Sequence, residues 1–241
     1  MKFLKSLLCK CLCINNLYKI NNNGVDVFKR TYPNKYISFK KTKELYYSNK
    51  IYYDFYNNYY NDYYYFNNNY ELHPYLDNIK LTAEHIFPQS YTKLYPKAKF
   101  DMHNLYLTSG KTNTNRSNYK YVDEIYYFHK SIFNYYYFDY QKNKKIKYNK
   151  YQNYKNSKLK LCIPSHNSRG IISRSLAYMK YTYSDIILEN VIDIDTMLKW
   201  NKQYPPTYIE IKHNNVVKSI QGNDNIFIVN KTYMELYFKN I

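Results

Sequence analysis

The apolar positions between residues 79 and 107 fall into two short runs. Ile79, Leu81, Ala83, Ile86 and Phe87 lead up to Pro88, which lacks the backbone N–H a sheet ladder needs, so Ile79–Phe87 is predicted as a strand. Phe100, Met102, Leu105 and Leu107 predict a second strand over Phe100–Leu107. From Asn113 to about Asn134 the spacing turns helical, with Tyr119, Val122, Ile125, Tyr126 and His129 on one stripe. Ser168–Tyr183 carries the clearest helical stripe, through Ile171, Ile172, Ser175, Leu176 and Met179, with Ser168 as its expected cap. Ile194–Trp200 is expected as a short helix closed by Pro205-Pro206 and Tyr208–Ile220 as a further amphipathic segment. Gln221–Phe227 is then expected as a turn, and Trp200 as core.

Elsewhere the pattern is weak. Residues 1–40 are expected to form a leader and a polar, Asn-rich connection, and residues 41–80 are Tyr/Asn-rich with mixed helical and irregular character. Residues 140–160 form a Lys/Tyr/Asn run expected to be an exposed connection. No repeat is visible. The fold class expected is α+β: a strand–loop–strand–helix unit embedded in a mixed, helix-rich single domain.

Composition adds a partner class. A formal net charge of +18 favours a polyanion, either nucleic acid or an anionic surface. The 36 Tyr and the abundant Asn, Lys and Ile share AT-rich codons and reflect coding bias more than chemistry. Rare residues therefore inform more. Of four Gly, Gly110, Gly170 and Gly222 sit in the motifs below. Cys9, Cys11 and Cys13 cluster in the leader and Cys162 stands alone, so no disulfide framework spans the fold. The start is basic then apolar, but Lys10 interrupts it short of the roughly 7–15 apolar residues of a signal peptide. An intracellular location is favoured, with membrane association through the leader as a lesser reading.

The candidate chemistry gathers in one stretch. Glu84-His85 closes the first strand, Asp101-Met102-His103-Asn104-Leu105 follows on the second, and Gly110 to Asn118 opens the helix. Phosphodiester cleavage needs an activated water and charge stabilisation on the phosphoryl oxygens. A neutral His can take the water proton near pH 7, and a Glu carboxylate with an Asn carbonyl suits one hard divalent cation. The plain alternative is that a strand His is a hydrogen-bonded core residue, a reading that fits His103 better than His85. His73, His129, His166 and His213 have no partner spacing and are read as structural or exposed.

Thr82-Ala83-Glu84-His85-Ile86-Phe87-Pro88-Gln89-Ser90 resembles the Asn-x-Glu-His-x-Trp-Pro-x-Ser signature of the bacterial endonuclease I family of ββα-metal (His-Me finger) nucleases. Asp101–Leu105 and Gly110–Asn118 are similar to the block that follows it. Ser168-Arg169-Gly170 through Arg174 and on to Met179 resembles its Lys-Gly-Asp-x-Ala-Arg…Leu-Tyr-Met helix. Trp200, Pro205-Pro206, Glu210 and Gln221-Gly222-Asn223-Asp224-Asn225-Ile226-Phe227 resemble its closing Gln-Gly-Asn-x-Asn-Pro-Phe block. Together these ordered blocks cover roughly residues 75–230.

The resemblance implies a nuclease domain over residues 41–241 that acts on DNA, RNA or both without sequence preference and leaves 5′-phosphates. It implies His85 as general base, and Glu84 and Asn113 as ligands of one Mg²⁺ (or Mn²⁺ or Ca²⁺). Asn104 would brace the loop, and no small organic cofactor is implied. Lys111, Arg116 and Arg174 are the expected nucleic-acid contacts. The alternative is a basic nucleic-acid-binding protein that keeps the fold with weak or no turnover. Two family features differ. The Arg-bearing, Cys-rich insertion is reduced to Gln89–Phe100, which leaves its role vacant or filled by Arg116, Arg174 or a Lys such as Lys93. Ile171 and Ile226 replace the family's Asp and Pro.

Overall fold

The structure is a computed structural model and describes residues 18–20, 26–28, 31–49, 81–124, 136–137, 150, 153–230 and 232–239. The leader cysteines, Lys10, Ile79, His73, His129 and the helix expected beyond residue 124 lie outside them. The chain divides into two units, residues 1–32 and 33–241. In the first, β1 (Tyr18–Ile20) pairs antiparallel with β2 (Asp26–Phe28).

The second unit is α+β. It opens at Pro33, ahead of the boundary expected at residue 41, and helix α1 (Phe39–Ser48) runs across that boundary. Ile37 and Tyr46 explain the difference: both are buried in a core with Leu81, Met102, Leu107 and Val217. The Tyr46 hydroxyl also donates to Leu105 O at 2.8 Å. Most of this helix falls in the stretch expected to be of mixed helical and irregular character.

Strand β3 (Leu81–His85) pairs antiparallel with β4 (Leu105–Ser109), with Glu84 opposite Tyr106 and His85 opposite Leu105. The second strand thus starts later than the sequence suggested. Pro96–Phe100 and Met102–Asn104 form 3-10 turns instead, started by Pro96 and by Asp101, whose carboxylate accepts from His103 N at 3.0 Å. Helix α2 (Gly110–Arg116) follows β4 directly. Ser109 caps it, accepting from Thr112 N at 3.2 Å.

The helix expected over residues 113–134 stops at Arg116. Ser117 takes a φ of 53°, and Lys120–Tyr121 enters a sheet as β5. That sheet runs β5-β8-β7-β6, with β6 Tyr136–Tyr137, β7 Tyr154–Asn156 and β8 Leu161–Ile163. β5 is parallel to β8, and the other pairs are antiparallel. The run read as an exposed connection therefore holds a strand in which Tyr154 and Asn156 are buried. Cys162, on β8, is a buried free thiol whose pKa burial pushes up to about 12.

Helix α3 (His166–Thr182) is almost wholly buried and forms the centre of the unit. It starts earlier than expected: Ser165 precedes it, and Ser168, inside the helix, exchanges a hydroxyl hydrogen bond with Ser165 at 3.1 Å. Around it pack α4 (Ile194–Gln203), α5 (Tyr208–Gln221), α6 (Ile226–Val229) and α7 (Tyr233–Phe238). Trp200 is fully buried on α4. A Cβ at Gly170 would lie 2.3 Å from Tyr204 O, so only Gly lets the segment after α4 approach α3 this closely. Gly222 ends α5 with a φ of 88°. Among the described residues no helix is long and apolar enough to cross a membrane.

Candidate active site

Two side chains of α2 satisfy carbonyls along β3 and the turn after it. Asn113 and Arg116 are three apart and share one helix face. Asn113 Nδ2 donates to Ala83 O and to Thr82 Oγ1, each at 3.0 Å. Arg116 Nη1 donates to His85 O at 3.1 Å and Nη2 to Ile86 O at 2.7 Å. Both Asn113 bonds use the amide nitrogen, so the carbonyl Oδ1 is not committed in them.

Glu84 is 1% exposed, with Arg116 Nη1 3.4 Å from its Oε1. That pairing lowers the cost of burying a carboxylate at the end of a strand. His85 is held on the other side. Its Nε2 lies 2.8 Å from Lys99 O, a pure acceptor, which makes Nε2 the protonated nitrogen and leaves the Nδ1 lone pair as the acceptor. The Phe39 ring meets the imidazole edge-on at 5.0 Å and packs on Phe100 at 4.9 Å. Burial brings the His85 pKa down to about 4, helped by the Arg116 and Lys99 cations against the pull of the Lys99 carbonyl. The ring is neutral at physiological pH.

Glu84, His85 and Asn113 all line one cavity of about 680 Å³, bounded by α1, the end of β3, the Pro88–Ser90 turn and α2. Asn104 sits just below it. Phe87 N donates to Asn104 Oδ1 at 2.6 Å, and Asn104 Nδ2 donates to Phe87 O at 3.0 Å, which fixes the chain leaving β3.

The expected nucleic-acid contacts separate. Lys111 is exposed on α2 but outside the cavity lining. Arg116 lines the cavity yet is 1% exposed, and its guanidinium faces Glu84 and backbone oxygens while lying over the Tyr121 ring at 4.5 Å. Its hydrogen bonds tie α2 to the end of β3 and the turn after it. Arg174 also departs from expectation. It is buried on α3 in a two-pronged pair with Glu210, at 2.6 Å for each prong, and it also reaches Asn201 and Tyr204 O. Such a group ties α3 to α5 and is closed to a ligand. Neither arginine fills the vacant cationic role as a surface contact.

His103 is buried behind the site. Its Nε2 is 2.9 Å from Asn223 O, and its ring lies 4.6 Å from Tyr178. His213 is buried as well, with Nε2 3.2 Å from Met102 O and its ring stacked on Tyr106. Asp101, present in the quoted motif but given no role there, is a hub. It accepts from Gln221 Nε2, from the Tyr178 and Tyr183 hydroxyls and from His103 N. Sequence reasoning missed this network and also missed Phe39, Lys40 and Lys43 of α1, all on the cavity wall. The helical spacing of Phe39, Lys43 and Tyr46 was the available signal.

A family model described as Endonuclease I matches residues 13–232, and the chain belongs to that family. It is 34% identical over 147 residues to Endonuclease-1 of Buchnera aphidicola subsp. Baizongia pistaciae (strain Bp), covering 61% of this chain and 53% of that protein. To Endonuclease-1 of Buchnera aphidicola subsp. Acyrthosiphon pisum (strain APS) it is 29% identical over 141 residues, 58% of this chain and 49% of that protein. The chain thus spans about half the length of these relatives.

Proposed function

We propose that this chain is a metal-dependent nuclease that hydrolyses phosphodiester bonds of DNA and RNA with little sequence preference and leaves 5′-phosphates. One observation carries the reading: a neutral His85 with Nδ1 as acceptor shares a cavity with Glu84 and an Asn113 whose amide nitrogen is already tied down.

Glu84 and Asn113 Oδ1 would hold a single Mg²⁺, Mn²⁺ or Ca²⁺, which when bound supplies positive charge to the phosphoryl and leaving oxygens. The donor set fits such an ion. Among the described residues no cluster of three or more His, Cys, Asp or Glu offers a full protein cage, and Mg²⁺ commonly keeps several waters beside one or two protein oxygens. The chain's own part is positional and basic. Lys99 O fixes the His85 ring, and Nδ1 accepts a proton from the attacking water as the new P–O bond forms. The bond from phosphorus to the 3′ oxygen breaks, and that oxygen is protonated from solvent. A water nucleophile leaves the 2′-hydroxyl without a chemical role, so both sugars serve. Contacts to phosphate carry no base information.

The test is cleavage of plasmid DNA and of RNA by purified protein with Mg²⁺, with chelator, and after His85→Ala. Chelation should abolish cleavage and Mg²⁺ or Mn²⁺ should restore it. His85→Ala should lose roughly 10²–10⁴-fold in rate with DNA affinity nearly intact. Wild-type turnover in His85→Ala, or full activity in excess chelator, would defeat the proposal.

A further inference from the structure

The cavity holds a carboxylate, a neutral imidazole and an arginine already spent on its surroundings. Hydrolysis of a phosphodiester builds negative charge on the phosphoryl oxygens, and preorganised cations aimed at that charge contribute strongly to rate. The remaining cationic side chains on the described cavity wall are Lys40 and Lys43 of α1. They are three apart on a helix and so project from one face. Gln89, Ser90 and Asn118, also on the lining, are neutral.

We infer that Lys40 and Lys43 meet the reacting phosphate, so that α1 supplies the positive wall of the active site. This rests on the nuclease reading above. The helix is well anchored for the task. Tyr46 is buried and bonded to Leu105 O, and Phe39 is wedged against His85 and Phe100. A lysine's four-carbon stem can then lie along the wall while its ammonium reaches the phosphate. The cations enter from the N-terminal side of the motif stretch, and the same helix positions the base. Lys40 is exposed and Lys43 half-buried, which suits a rim contact and a deeper one.

The test compares the wild-type chain with Lys40→Gln, Lys43→Gln, the double Gln variant and the double Arg variant, with Lys202→Gln on α4 as an off-site control. Single-turnover cleavage of a DNA duplex at saturating protein is measured together with duplex affinity across salt, Mg²⁺ dependence and melting temperature. The double Gln variant should cleave at least about tenfold more slowly at saturation. Its plot of log affinity against log salt should be shallower by about 0.9 per lysine removed. The double Arg variant should recover most of the rate, and Lys202→Gln should match wild type. A normal saturated rate in a folded double Gln variant overturns the inference, even if affinity falls, because the lysines then only attract DNA. His85→Ala separates the two readings: it should lose cleavage with an unchanged salt slope. If it cleaves normally the nuclease mechanism fails, whatever the lysines do.

Discussion

The side-chain amide of Asn113 donates to the backbone carbonyl of Ala83 at 3.0 Å, so a helix residue is oriented by the strand whose next residue is Glu84. The bond fixes which end of the amide is free. An asparagine that could flip would present nitrogen or oxygen to the cavity; this one is pinned by two acceptors through its nitrogen.

Asn113→Ala should therefore raise the Mg²⁺ concentration needed for half-maximal cleavage by about 10–100-fold. Two hydrogen bonds are lost, each worth about 1 kcal/mol net, so a modest fall in melting temperature should accompany it. A Mg²⁺ titration of cleavage beside a thermal melt checks both. An unchanged Mg²⁺ requirement would remove Asn113 from the ligand set.

Arg174 and Glu210 should behave as a stability element. Arg174→Met leaves a fully buried carboxylate without its partner and should cost about 3–5 kcal/mol. Arg174→Met with Glu210→Leu should regain much of that loss, because neither charge is then stranded. Denaturant unfolding measures this. DNA affinity of the folded variants should keep its wild-type salt slope; a shallower slope would show that Arg174 does reach phosphate.

His213 makes the fold acid-sensitive. Burial lowers its pKa to about 3, and His103 nearby pushes in the same direction against the pull of Met102 O. The unfolded chain binds this proton below about pH 6.5, whereas the native state refuses it until about pH 3, so stability falls as pH drops through that window. The slope is at most about 1.4 kcal/mol per pH unit for this group. Buried His103, also shifted down, adds to it. Melting curves between pH 7.5 and 4.5 should show the decline. His213→Gln should start less stable but flatten the curve; a variant with the wild-type slope would assign the acid sensitivity elsewhere.

The candidate stretch stands out in the sequence because its chemistry and its pattern coincide. Leu81 and Leu107 mark strands, Pro88 ends one of them, and Glu84-His85 stands out where charged strand residues are otherwise unexpected. What stayed hidden depends on burial. Arg116 and Arg174 look like surface cations in a basic chain, and only packing shows that one closes β3 and the other clamps α3 to α5. Phe39–Ser48 belongs to a stretch whose mixed helical and irregular character gave the helix no bounds, and Tyr46 in the core supplies them. The helix expected through Tyr119 and Val122 failed because a turn at Ser117 with a φ of 53° cannot be read from apolar spacing. Val122 directly follows β5 and is buried with Tyr154 and Ile163, so its apolar character was real but its period was not helical.

Among the described residues β3 and β4 form a sheet of only two strands. A strand edge of that kind is a template on which another chain can add itself, and a Tyr-rich protein supplies many segments able to do so. Side chains of α2 already occupy two backbone carbonyls of β3, at Ala83 and His85. Asn113 and Arg116 thus cover part of that strand edge as well as lining the cavity, so substitutions there should put solubility at risk.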